Sequence, residues 1–283
     1  MFLKEIIVCS FPTEIRIAPF PIVCTAFFKK YTDHVIAGID CDEKTLKNAL
    51  ISGAIHKIGD QNDIKNADLI VVSLYPQAAA DFINENKDNF KSGAIITDSC
   101  GVKRAIYDKL DKSLFDGRVS FIGAHPMAGK EQSGFDYSDA DMFNGASLIV
   151  TAENPQSEAA ITVRNIALKI GFKRCTLCTP ETHDKMIAFT SQLPHILACS
   201  YILDPLALNH DGYSAGSFQD VTRVAFINDV MWSELFLDNA DNLSNEIDEL
   251  INNLSAFKTA LGERDRDKLR QLMIKSRELK EKT

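Results

Sequence analysis

Four stretches of this 283-residue chain hold side chains whose types and spacing suit chemistry. In FIGAHPMAGKEQSGFD, residues 121–136, His125 follows an apolar run that reads as a strand, and Pro126 restricts the backbone beside it. Open α/β sheets gather their ligands at the carboxyl ends of the strands, so His125 would face a cofactor edge. A neutral imidazole there can accept the proton of a substrate hydroxyl as hydride leaves the same carbon. The competing reading is a histidine that merely satisfies a structural hydrogen bond.

In TSQLPHILACSYI, residues 190–202, Pro194 interrupts a helical pattern. An internal proline deletes one backbone hydrogen bond and costs about 3 kcal/mol, so a kink is expected between Ser191 and His195. Four residues apart, those two side chains can point the same way. Alternatively, Pro194 opens a new helix and His195 packs in its first turn. In GSFQDVTRVAFINDVMW, residues 216–232, the pattern predicts a buried stripe of Phe218, Val221 and Ala225. That leaves Arg223 on another face, either solvated or gripping a carboxylate with its planar fork. Asp40, in VIAGIDCDEKTL, ends a strand-like run. It suits either a bond to the ribose hydroxyls of a dinucleotide or a helix cap. With no Lys or Arg before Lys44, the first choice points to NAD rather than NADP.

The seven cysteines carry less. Cys175 and Cys178 form a single CxxC with no second pair, and no metal site is expected. Cys100 as a thiol nucleophile would lack an identifiable oxyanion site. An odd number without framework spacing fits reduced thiols in the cytoplasm.

The elements that must position these residues follow from hydrophobic pattern. Short β-branched runs at Ile6–Val8, Val35–Asp40, Leu69–Leu74, Ala94–Asp98, Phe121–Gly123 and Leu148–Thr151 alternate with helical stretches such as EKTLKNALISG, PQAAADFINENKDNF and VKRAIYDKLDKSLF. Continuous apolar strands between helices predict a Rossmann-like, doubly wound parallel sheet over residues 1–178. Beyond Pro180 the pattern is helical. Ile247, Leu250, Ile251, Leu254, Phe257 and Leu261 form a stripe at spacings of three and four, so residues 179–283 read as an all-helical domain. A cleft at the junction is the expected ligand site.

A net charge of -8 argues against a nucleic-acid or membrane-surface partner. No apolar run reaches the roughly 18–20 residues of a membrane-spanning helix. One stretch resists the pattern. VCSFPTEIRIAPFPIVCTAFFKK, residues 8–30, stands where a glycine-rich loop should cradle a pyrophosphate, yet it holds three prolines and no glycine; the first glycine is Gly38.

HPMAGKEQSGF after a strand, TDSCGVK before it, SQLPH after it and FQDVTRVA ahead of a Met-Trp pair together resemble the prephenate and arogenate dehydrogenases of tyrosine biosynthesis. The likeness spans about residues 35–283. It implies an N-terminal Rossmann domain, a C-terminal helical dimerisation domain and NAD-dependent oxidative decarboxylation of prephenate, or the parallel reaction of arogenate. By the same resemblance, His125 polarises the ring hydroxyl, Arg223 grips the ring carboxylate, and Ser191 with His195 lines the substrate site. Lys130 and Glu131 fall beside the substrate, and Asp40, Ser73, Leu74, Pro76, Cys100 and Gly101 fall on the cofactor side. TDSCGVK departs from the DxGSVK-like pattern, so the serine hydroxyl expected near the nicotinamide is missing or replaced by that of Ser99. A non-catalytic relative that binds prephenate or tyrosine but not NAD is the alternative that the glycine-free stretch raises.

Overall fold

A computed structural model describes residues 5–9, 31–128 and 143–283. The proline-rich segment 10–30, Lys130 and Glu131 lie outside the described residues. The chain divides into two compact units, one of residues 1–186 with 229–238, the other of 187–228 with 239–283.

Strands β1 (Glu5–Cys9), β2 (Val35–Ile39), β3 (Lys57–Ile58), β4 (Leu69–Val72), β5 (Ile95–Asp98), β6 (Ser120–Pro126), β7 (Ser147–Thr151) and β8 (Arg174–Cys178) form one sheet in the order 3-2-1-4-5-6-7-8. Its first six strands are parallel and follow the dinucleotide-binding order 3-2-1-4-5-6. Side-chain alternation explains why both faces need cover. Leu69 and Val71 of β4 enter one apolar cluster with Phe143, Val163 and Phe172. Ile70 and Val72 enter the other with Ile83, Phe90 and Ile106. All four β4 residues are buried, which is why the strand reads as a continuous apolar run.

The expected parallel sheet holds through β6 and departs only beyond it. β7 runs antiparallel to β6, pairing Gly123 with Thr151 and His125 with Ile149, and β8 then runs parallel to β7. Apolar content sets burial but not strand direction, which is why the pattern missed the reversal. β3 was also missed, because two residues leave no periodicity to read.

Helices α1 (Glu43–Ile51), α2 (Gln61–Asn66) and α3 (Pro76–Glu85) connect the first strands. The helix expected over 102–115 is instead α4 (Arg104–Tyr107) followed by a 3-10 turn, Lys112–Phe115. Asp111 breaks it by capping Ser113 N–H. Asn84 clamps the break, accepting from Asp111 N–H and donating to Lys109 C=O. Helix α5 (Glu158–Lys169) covers β7 and β8.

α6 (Pro180–Ile187) starts the helical series. The expected boundary after residue 178 falls short of the first compact unit, which runs on to Met186 and takes in α9 (Asp229–Leu237). The reason is chemical: His183 and Asp184 of α6 are buried against polar groups of the sheet unit. Within the second unit a π-turn, Ala188–Gln192, leads into α7 (Leu193–Ile202), with Leu193 N–H reaching back to Ala188 C=O. Widening the helix there accommodates the missing donor and the ring of Pro194. The remaining α-helices among the described residues are α8 (Gly216–Thr222), α10 (Ala240–Gly262) and α11 (Arg266–Lys280).

Candidate active site

The site begins with a glycine and a buried lysine. Lys103, just ahead of α4, is fully buried, and its ammonium donates to Asp98 Oδ2 and Ala124 C=O, each at 2.6 Å. Its aliphatic chain crosses β6 at Gly123. A Cβ there would come within 2.3 Å of Thr151 Oγ1 and 2.9 Å of Lys103 Cδ, so the strand needs glycine two residues before His125. Asp98, at the end of β5, also accepts Cys100 N–H and Ala124 N–H. The Lys103–Asp98 pair thus fixes the carboxyl ends of β5 and β6 together. Tyr107 of α4 ties β6 to β7, donating to Thr151 C=O at 2.7 Å and accepting Gly123 N–H.

β6 continues past the expected Gly123 to Pro126, so His125 is a strand residue rather than the residue after one. It is half-buried, with Nδ1 2.9 Å from Nε2 of His183. His183 Nδ1 in turn lies 2.6 Å from Asp184 Oδ1. The same carboxylate accepts the backbone N–H groups of Lys103 at 2.8 Å and Arg104 at 2.9 Å, capping α4, whose own N-cap supplies no side-chain bond. Burial, then the neighbouring His183 and Lys103, hold His125 well below the ordinary imidazole value. Burial also lowers His183 against the opposing pull of Asp184. Asp184 is held low despite its burial, chiefly by the His183 bond and the two backbone donors. The site therefore contains two neutral imidazoles ending on an ionised carboxylate.

The other sheet-unit residues expected near a cofactor lie at the same carboxyl ends. Asp40 follows β2 and accepts Asp42 N–H at 2.8 Å, while Asp42 caps α1. The helix cap weighed for Asp40 is thus made by Asp42, and Asp40 closes the turn before it. Ser73, directly after β4, buries an Oγ with no partner among the described residues, and Pro76 opens α3. Cys100 turns its thiol inward to Leu74 C=O at 3.1 Å. Burial, with the nearby Asp98, pushes it far above the usual thiol range, which leaves only its backbone for a ligand and removes it as a nucleophile. Gly101 lies against His125: a Cβ on it would sit 4.0 Å from Nε2 and 3.5 Å from Leu235 of α9. An unpartnered buried hydroxyl, a glycine-bared imidazole edge and a carboxylate after β2 form a polar rim that fits a dinucleotide.

In the helical unit His195 is half-buried and its Nδ1 lies 2.8 Å from Ser191 C=O. That contact uses the backbone of Ser191, one turn back across the π-turn. Arg223 is exposed at the end of α8. The expected buried stripe around it is absent: α8 buries none of its residues, and Val221 is 40% exposed. Instead Phe218 stacks on His210 at 4.6 Å and tilts against Tyr201. Cys175 and Cys178 both lie in β8, three apart and hence on opposite faces, and no cluster of His, Cys, Asp or Glu among the described residues could hold a metal ion.

Sequence reasoning missed Lys103, His183 and Asp184. TPETHD carried a signal, since two adjacent polar residues sit one turn into a helix that opens with proline. Nothing in that pattern told an inward histidine from a solvated one.

Residues 24–174 match the family model described as prephenate dehydrogenase, nucleotide-binding domain, and 179–275 match prephenate dehydrogenase, dimerization domain. The chain is 30% identical over 218 residues to the cyclohexadienyl dehydrogenase of Zymomonas mobilis, covering 74% of this chain and 73% of that one. It is 27% identical over 258 residues to the prephenate dehydrogenase of Bacillus subtilis, covering 87% and 68%. Among solved structures, Synechocystis arogenate dehydrogenase superposes with a TM-score of 0.85 at 22% identity over 99% of both chains. Prephenate dehydrogenase from A. aeolicus, in complex with hydroxyphenyl propionate and NAD+, gives 0.82 at 20% identity over 100% and 99%.

Proposed function

Because the chain belongs to the prephenate dehydrogenase family, we propose that it oxidises prephenate with NAD, yielding 4-hydroxyphenylpyruvate and carbon dioxide in tyrosine biosynthesis. The observation that carries this reading is the neutral, half-buried His125 at the carboxyl end of β6, its outer nitrogen beside Gly101. In the reaction C4 gives up hydride, the bond from C1 to the ring carboxylate breaks, and its electrons complete the aromatic ring. The C4 hydroxyl keeps its proton overall and ends as a phenol. His125 therefore has to accept a hydrogen bond and polarise that oxygen, not carry the proton away, and a neutral imidazole is the right species for it. NAD, when bound, supplies the hydride acceptor.

Asp40 is the proposed ribose partner, with Ser73, Leu74, Pro76 and the backbone of Cys100 and Gly101 beside the rest of the dinucleotide. Arg223 is assigned to the substrate carboxylate, and Ser191, His195, Lys130 and Glu131 to the substrate, on the motif alone. A fixed cation would supply the local attraction that a net charge of -8 opposes. The exposed apolar residues of α10 and α11 support a homodimer.

The test is reduction of NAD by the purified protein with prephenate, beside arogenate and NADP, and beside His125→Asn and Arg223→Ala. Turnover that is lost in His125→Asn, with Arg223→Ala raising KM for prephenate far more than for NAD, is the expected result. A folded protein that binds an aromatic ligand but neither binds nor reduces NAD would replace this reading with that of a binding protein.

A further inference from the structure

We propose that His183 and Asp184 are positioning residues that hold His125 in the tautomer with its proton on Nδ1, leaving the Nε2 lone pair as the acceptor beside Gly101. The inference rests on the reading of His125 as the group that polarises the substrate hydroxyl.

Asp184 and His183 side chains have no exposure to solvent. The Asp184 carboxylate already accepts from Lys103 N–H and Arg104 N–H, and Arg104 Nε lies 3.4 Å away. With two backbone donors and the Arg104 guanidinium facing it, the carboxylate is ionised and can only accept from His183. His183 Nδ1, 2.6 Å away, must therefore carry its proton. Neutral His183 then has a bare Nε2. Its 2.9 Å contact with His125 Nδ1 is a hydrogen bond only if His125 donates. A neutral imidazole with its proton on Nδ1 has a lone pair on Nε2, the nitrogen nearest Gly101. The alternative, a positive His183, would stand close to the buried Lys103 ammonium, and burial together with that charge opposes it.

The arrangement resembles the logic of a hydrolytic triad, in which a carboxylate selects the tautomer of a histidine. Here a second histidine relays that choice across α6 to β6. Without it, the two tautomers of His125 would compete, and the wrong one would direct an N–H at the substrate oxygen.

A purely structural role is the rival, since Asp184 also caps α4. Nitrogen-15 spectra of histidine-labelled protein distinguish the two, because protonated and bare ring nitrogens resonate far apart. Free wild-type protein should show His125 with Nδ1 protonated and Nε2 bare, assigned by its loss in His125→Asn. His183→Leu should lose that single pattern and lower kcat about 100-fold with KM for prephenate little changed. His183→Gln, whose amide oxygen can still accept from Nδ1, should keep the pattern and recover most of kcat. Asp184→Asn should shift His125 toward the Nε2-protonated form.

Equal kcat and unchanged His125 spectra in His183→Leu and His183→Gln would overturn the proposal, as would a bare Nδ1 in the wild type. If Asp184→Asn does not fold, the His183 pair decides alone. If the wild type turns over neither prephenate nor arogenate, the spectra still judge the tautomer while the substrate assignment falls.

Discussion

At the scale of single residues, the two buried histidines make the folded protein sensitive to acid. Both are held below the 6.5 of a free imidazole, chiefly by burial. The unfolded chain takes up protons below that pH while the folded chain refuses them. Stability is therefore complete above pH 6.5 and declines as pH falls toward the folded values, by up to about 1.4 kcal/mol per pH unit for each histidine. Urea denaturation from pH 7.5 to 5.5 should show a falling midpoint, with a shallower fall in His125→Asn. An unchanged slope in that variant would mean that His125 titrates normally in the fold. His125 itself was legible in the sequence because a histidine beside proline after an apolar run is an unusual signal. Its partners were not, because a helix pattern tells which residues are polar without telling which polar residue is turned inward.

At the scale of elements, the carboxyl ends of β5 and β6 are held by one buried cation. Lys103 has two acceptors at 2.6 Å and lies across Gly123, so β5, β6 and the start of α4 share a single anchor. Removing the ammonium in Lys103→Met keeps much of the aliphatic volume but leaves the buried Asp98 charge without its counter-ion. A loss of about 3–5 kcal/mol of folding stability is expected by urea denaturation. A loss under about 1 kcal/mol would show that water or a shifted proton replaces the pair. The sequence expectation of strand, helix and turn positions was met for β2, β4, β5, α1 and α10. These have full-length apolar periods or end caps written locally. It failed where a short-range rule was overridden: Asp111 split the helix over 102–115, and β7 reversed direction.

At the scale of the whole molecule, α10 and α11 carry apolar side chains that their own unit leaves in water. Ile251, Leu254 and Leu261 are 52–62% exposed, and Met273 and Leu279 are 54% and 56% exposed. A stripe of that kind asks for a second copy. Light scattering after size exclusion should give a dimer mass, and a Leu254→Glu, Leu261→Glu double variant should move it toward the monomer. A monomer in the wild type at micromolar concentration would exclude the homodimer. Among the described residues no helix is long and apolar enough to cross a membrane.

The sequence by itself determined the alternation of strands and helices and the change to helix after Pro180, and it singled out His125, Asp40 and Arg223 as candidates. Each is a local property, carried by periodicity, by a cap or by a motif a few residues long. Only the tertiary structure decided that Lys103 is a buried anchor, that β7 runs backward, and that α6 brings His183 and Asp184 to His125 from 58 and 59 residues along the chain. Burial and hydrogen-bond direction are set by what packs on the far side of a residue. That partner is fixed by the fold, not by neighbours in sequence.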